Sequence, residues 1–184
     1  KTAAKPASGS QEKGAENTQK KTAQNTQAGG RRKTGGKQSG SKERRKTPVR
    51  IIPLGGLNEI GKNMTCYECG QDMFIVDCGL AFPDADMLGV DIVIPDFTYV
   101  EKNKDRIRGI ILTHGHEDHI GGLAYLLKKF NVPVYGTRLT LGLVEGKLKE
   151  HGLLRSANLN VIKPRDMIKM GCMSAVSYTH LTLP

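Results

Sequence analysis

The first 47 residues contain no Val, Ile, Leu, Met, Phe, Tyr or Cys. A segment with so little to bury cannot offset the entropy of ordering its chain, so a disordered tail is expected over 1–47. No apolar run anywhere reaches the length of a membrane span, and none follows the basic start as the core of a secretory signal would. That excludes a membrane anchor as an expectation and makes a cytoplasmic location the default. Gly55, Gly56 and Gly61 do not form G-x-G-x-x-G, which leaves a flexible loop close to a site as their reading. Cysteine is scarce. Cys66 and Cys69 stand as C-x-x-C inside an expected strand, where residues three apart face opposite ways. Cys172 is isolated, and no second pair has zinc-ribbon spacing. All four are read as reduced thiols. No internal repeat is visible.

What the tail does contain is charge. It holds 13 Lys+Arg against 3 Asp+Glu, a net of +10, which is the whole formal charge of the chain; the other 137 residues balance 15 against 15. A basic arm, beginning at Lys1 and closing at Lys46, attracts polyanions by counterion release without reading their sequence. A solubilising tail with no partner is the alternative.

The densest chemistry lies in Thr113-His114-Gly115-His116-Glu117-Asp118-His119. An apolar, β-branched run over 107–112 precedes it, and Leu123, Leu126, Leu127 and Phe130 follow at helical spacing, so the motif is expected on a strand-to-helix loop. Imidazole and carboxylate suit zinc and similar divalent ions. Neighbouring side chains diverge, so four donors on one short loop point to two adjacent ions. His114 and His116, two apart in extended chain, would hold one; Asp118 and His119, past the turn, would hold the other. Glu117 is given no ligand role. Strands are expected over 49–54, 63–69, 73–78, 107–112 and 132–135, and helices over 120–130 and 137–151. His151, at the end of the second helix, fits a dipole-compensating or surface role.

The run His114-Gly115-His116-Glu117-Asp118-His119 resembles the signature of metallo-β-lactamase-fold hydrolases. The flanks resemble one branch of them, the ribonuclease J group of β-CASP nucleases: Leu54-Gly55-Gly56-Leu57-Asn58-Glu59-Ile60-Gly61-Lys62-Asn63-Met64, Ile75-Val76-Asp77-Cys78-Gly79-Leu80, Phe82-Pro83, Met87-Leu88-Gly89-Val90-Asp91 and Val132-Pro133-Val134-Tyr135-Gly136-Thr137. The resemblance spans about 49–174. It implies the N-terminal part of a four-layer αββα fold, two divalent ions with zinc expected, and cleavage of RNA phosphodiesters by 5′-to-3′ exonuclease and endonuclease action in RNA maturation and decay. It implies metal ligation by His114, His116, Asp118 and His119, with Asp118 also catalytic. Asp77, ending a strand, would orient ligands or the attacking water. Turn capping at Gly79 is its other reading.

The resemblance also sets the expected boundaries: tail 1–47, metallo-β-lactamase part 48–174, and 175–184 outside the family pattern, resembling translated adapter text. A third metal histidine, a bridging aspartate and the later domains of the family are not matched, and His180 is not assigned as a ligand. The chain alone is therefore expected to be inactive and poorly soluble, with exposed sheet edges. The full-length family member is expected to form a homo-oligomer or pair with a paralogue. Alternatives are another hydrolase of this fold, of thioesterase or lactamase type, or a non-catalytic RNA-binding fragment.

Overall fold

A computed structural model describes residues 47–178. The basic tail and His180 lie outside the described residues.

Six strands form one mixed sheet in chain order: β1 (Val49–Gly55), β2 (Met64–Cys69), β3 (Asp72–Val76), β4 (Ile107–Ile111), β5 (Val134–Gly136) and β6 (Leu159–Val161). The first three pair antiparallel, β1 and β2 through the loop over 56–63 and β2 and β3 through a tight turn at Gly70 and Gln71, and β3 to β6 pair parallel. Parallel neighbours need crossovers, and these carry the helices: α1 (Thr98–Lys102), α2 (Glu117–Ile120), α3 (Leu123–Lys129) and α4 (Arg138–Glu150).

Side-chain alternation divides the strands between two cores. On β2, Met64, Cys66 and Glu68 are buried while Thr65, Tyr67 and Cys69 are half-buried. The first face packs with Met73, Ile75 and Ile110 under Val100, Leu123, Leu126, Leu127, Leu141, Val144 and Leu148 of the helices. Leu126 is fully enclosed, which stabilises the fold by about 1.5–3 kcal/mol relative to leaving it in water. The opposite face, with Tyr67 stacked on Phe74 at 5.1 Å between ring centres, packs under Ile162, Ile168 and Met170. Ile168 and Met170 belong to β7 (Met167–Met170), which pairs antiparallel with β8 (Met173–Val176). The order of layers is thus helices, mixed sheet, second sheet. Pairing in that second sheet continues through Ala175 and Val176, opposite Ile168 and Met167.

Glu68 is a charged residue in the helix-side core, 4 % exposed. It accepts a hydrogen bond from the Tyr99 hydroxyl and meets Arg50 at 3.0 Å and Arg106 at 3.4 Å. Partners on both sides are what make its burial tolerable.

Two expectations change in detail. The helix expected over 120–130 is two helices, broken at Gly121 and Gly122, and the first begins inside the motif at Glu117. The break follows from close packing: the Gly122 N–H donates to Cys78 O at 2.9 Å, and a Cβ on Gly122 would lie 2.5 Å from Gly79 O. Cys172 is not isolated in space. Its thiol lies 3.0 Å from Cys69 O, and its N–H donates to Asp72 Oδ2 at 2.7 Å. All four cysteines are free thiols. Cys66 is buried on one face of β2 and Cys69 half-buried on the other; burial pushes the Cys66 thiol up to about 12. His151 caps the end of α4, 2.9 Å from Lys128 Nζ and edge-on to Tyr125. No helix among the described residues is long and apolar enough to cross a membrane.

Candidate metal centre

The motif leaves the end of β4 and turns into α2. A four-residue helix is too short to persist by itself, and its last carbonyls need outside donors. Two segments distant in sequence supply them, one at Asn63 and one spanning Cys78 to Leu80. Leu80 N–H donates to Glu117 O at 3.1 Å, Asn63 N–H to Asp118 O at 3.0 Å, and Cys78 N–H to His119 O at 2.8 Å. Gly79 passes so close that an added Cβ would sit 1.6 Å from Asp118 O. Glycine is required there by proximity.

Asp77 anchors the other side. Its backbone takes the left-handed region at φ +61°, a conformation uncommon outside glycine but more accessible to Asp and Asn. Its carboxylate, 5 % exposed, accepts from Thr113 N–H at 2.8 Å and from the Thr113 hydroxyl at 2.7 Å, and lies 2.8 Å from His119 Nδ1. A carboxylate only accepts, so His119 carries its proton on Nδ1 and leaves Nε2 as a bare lone pair. The Thr113 hydroxyl gives its single hydrogen to Asp77, so its lone pairs face His114 Nδ1 at 3.0 Å. That assigns the His114 proton to Nδ1 and again bares Nε2. One buried carboxylate, through one hydroxyl, sets the tautomer of two histidines.

The four donors of the loop fall into two pairs. His114 Nε2 lies 3.2 Å from His116 Nδ1, and Asp118 Oδ2 lies 3.4 Å from His119 Nε2. Two ligand atoms on one tetrahedral zinc, each about 2.0–2.1 Å from it, stand about 3.3 Å apart. Both pairs therefore have the separation of two ligands sharing an ion. The His114 and His119 rings stand 4.0 Å apart, so the pairs are adjacent. Among the described residues, no three His, Cys, Asp or Glu side chains close on one point. Burial first, then the neighbouring His119 and His116, hold the His114 imidazolium below its ordinary range, which favours the neutral form that ligates metal.

Glu117 points away from these pairs and meets Lys147 of α4 at 2.6 Å. Beside Asp118 a cleft of about 500 Å³ opens, walled by Ile60, Leu80, Phe82, Pro83 and Glu117. The structure thus gathers Asp77, His114, His116, Asp118 and His119 in one place. Two contributors escape a reading by composition and spacing. Thr113 adjoins the motif but carries no signal of its own. Asn63, whose amide reaches Asp118 and His119, lies 55 residues before its partner Asp118.

Comparison with known proteins places this geometry in a family. The Metallo-beta-lactamase superfamily profile matches residues 62–172. Ribonuclease J of Synechocystis sp. is 47 % identical over 135 residues, 73 % of this chain and 21 % of its own length. Ribonuclease J2 of Bacillus subtilis is 52 % identical over 120 residues, covering 65 % and 22 %, and Ribonuclease J of Thermus thermophilus is 50 % identical over 140 residues, covering 73 % and 24 %. The chain spans between a fifth and a quarter of the length of these relatives. With the profile covering more than half of its residues, the chain belongs to the metallo-beta-lactamase superfamily.

Proposed function

We propose that the chain is the metal-binding N-terminal part of a ribonuclease of the ribonuclease J type, hydrolysing RNA phosphodiesters. The observation that carries the reading is the pairing of four donors into two adjacent couples, each at the spacing of ligands on one ion. His114 and His116 hold one divalent ion, Asp118 and His119 the other, with zinc the ion expected of two imidazoles and of an imidazole with a carboxylate. Two such ions would lower the pKa of bound water and stabilise both the attacking and the leaving oxygen of an in-line displacement.

The residues of this chain have the task of presenting lone pairs in register. Asp77 keeps the His119 and His114 protons on Nδ1, directly and through Thr113, so that both Nε2 atoms face the site. Similarity to Ribonuclease J proteins over about two thirds to three quarters of this chain supports RNA as the substrate, with exonucleolytic and endonucleolytic cleavage in RNA maturation and decay, in the cytoplasm. The basic tail, Lys1 to Lys46, tethers RNA non-specifically, and the complete protein is a homo-oligomer or pairs with a paralogue. Residues 48–174 form the metallo-β-lactamase part.

Each ion receives two ligands from this loop, where a catalytic zinc takes three from protein. With no third donor joining either pair among the described residues, turnover by this chain alone is not expected. The test is decay of a 5′-monophosphorylated RNA together with metal analysis, on this chain and on the complete gene product. His116→Ala or Asp118→Ala in the complete protein lowers cleavage by at least about a hundredfold, since loss of a ligand exceeds the 10–100-fold typical of residues behind it. Undiminished cleavage in either variant would defeat the assignment.

A further inference from the structure

Asn63 sits one residue before β2, outside the motif, yet its side chain touches both members of the Asp118 and His119 pair, where Asp77 touches His119 alone. The carboxamide Nδ2 lies 3.0 Å from Asp118 O, 3.1 Å from Asp118 Oδ2 and 3.2 Å from His119 Nε2. Three acceptors surround it, which identifies the nitrogen end of the amide. Two of them are the lone-pair atoms assigned above to one ion. The backbone of Asn63 is itself clamped: its N–H donates to Asp118 O at 3.0 Å, and its carbonyl accepts from Gly79 N–H at 3.0 Å. The amide oxygen is seated too. A Cβ on Gly56 would lie 2.3 Å from Asn63 Oδ1, so the bare backbone of Gly56 is what leaves room for the carboxamide.

The two pairs differ here. His114 and His116 touch each other and Thr113, and no contact with Asn63 is among their bonds. We propose that Asn63 is a positioning residue for the Asp118 and His119 pair alone. With two hydrogens for three acceptors, its amide donates to Asp118 O and Oδ2, which fixes the carboxylate rotamer and sets Oδ2 at ligand spacing from His119 Nε2 while the single Nε2 lone pair stays open to an ion. This rests on the two-ion reading above and adds an asymmetry to it. Asn63 is not a catalytic residue, because it touches ligands and not reacting atoms.

The test is titration with Co²⁺ alone, followed by calorimetry and by the visible absorption of the bound ion, on the full 184-residue chain. Asn63→Ala is made in two backgrounds. In His114→Ala, where binding depends on Asp118 and His119, it weakens Co²⁺ affinity by about 10–100-fold, the range for residues that orient metal ligands. In His119→Ala, where binding depends on His114 and His116, it changes affinity by less than about twofold. Asn63→Ser, which keeps a donor on a shorter arm, loses less in the first background and serves in both if the alanine variant does not fold. Equal losses in the two backgrounds would reduce Asn63 to a general structural role and overturn the proposal. No loss in either, with the parent chain binding Co²⁺, overturns it and leaves the two-ion reading standing. A parent chain that binds no Co²⁺ overturns both.

Discussion

Within one seven-residue loop, two pairs of donors are held in different ways. His114 and His116 are exposed; their side-chain hydrogen-bond partners are each other and Thr113, and the His114 ring also lies against that of His119. Asp118 and His119 are half-buried on a turn of helix whose carbonyls are taken by Asn63, Cys78 and Leu80, and whose side chains are tied to Asn63 and Asp77. The first pair is placed by the direction in which extended chain points its side chains. The second is placed by tertiary structure. Preorganisation is therefore unequal across the site, and the half that depends on distant segments is the half most exposed to damage elsewhere in the chain.

A methyl group at two glycines gives the sharpest contrast. Gly79→Ala drives a Cβ into the Asp118 carbonyl, a rigid backbone atom at 1.6 Å, so the strand end and α2 must separate. The expected loss is about 3 kcal/mol or more, at the upper end of overpacking effects. Gly115→Ala meets only Leu143 Cδ1 at 2.5 Å, the far end of a half-exposed side chain that can swing away, and less than about 1 kcal/mol is expected. Urea denaturation of both variants checks this, and equal losses would erase the distinction between the two halves.

Asp77→Asn comes next in size. The replacement tolerates φ +61° but keeps only one acceptor oxygen for the Thr113 N–H, the Thr113 hydroxyl and His119 Nδ1. One buried donor is left unpaired, a loss of about 1–3 kcal/mol. The His119 proton is also released from Nδ1, so nitrogen NMR of the ring should report a mixture of tautomers where the parent shows one. A single Nδ1–H tautomer in the variant would contradict the role given to Asp77. The smallest effect is expected at Glu117→Gln. Its partner Lys147 is 28 % exposed and Glu117 itself 46 %, so the change costs no more than about 1 kcal/mol in a melt. It should leave metal affinity at both pairs unchanged, because Glu117 faces α4.

The motif and its setting were legible in the sequence because both rest on local rules. Apolar runs marked β4 and α4 to within a residue, and the period of extended chain placed His114 beside His116 and turned Cys66 and Cys69 to opposite faces of β2. What escaped depends on contacts between distant segments. The single expected helix is split because Gly122 must approach Cys78 and Gly79. Strands β6, β7 and β8, three or four residues each, are too short to show alternation. Asn63 and Thr113 act through hydrogen bonds whose partners no spacing rule connects. Cys172 meets Cys69 only because the β7–β8 turn is tied to Asp72.

The capture of the α2 carbonyls also sets an order of events during synthesis. The antiparallel strands β1 to β3 follow one another in sequence and can pair once they leave the ribosome. Asn63 must wait for Asp118, 55 residues later, which at roughly 5–20 residues per second is an interval of about 3–11 s. The amides of Cys78 and Leu80 wait in the same way, over shorter stretches, for His119 O and Glu117 O. The metal half-site made by Asp118 and His119 thus cannot form with the antiparallel strands that hold it, and a pause in translation between these segments lengthens the time it stays open.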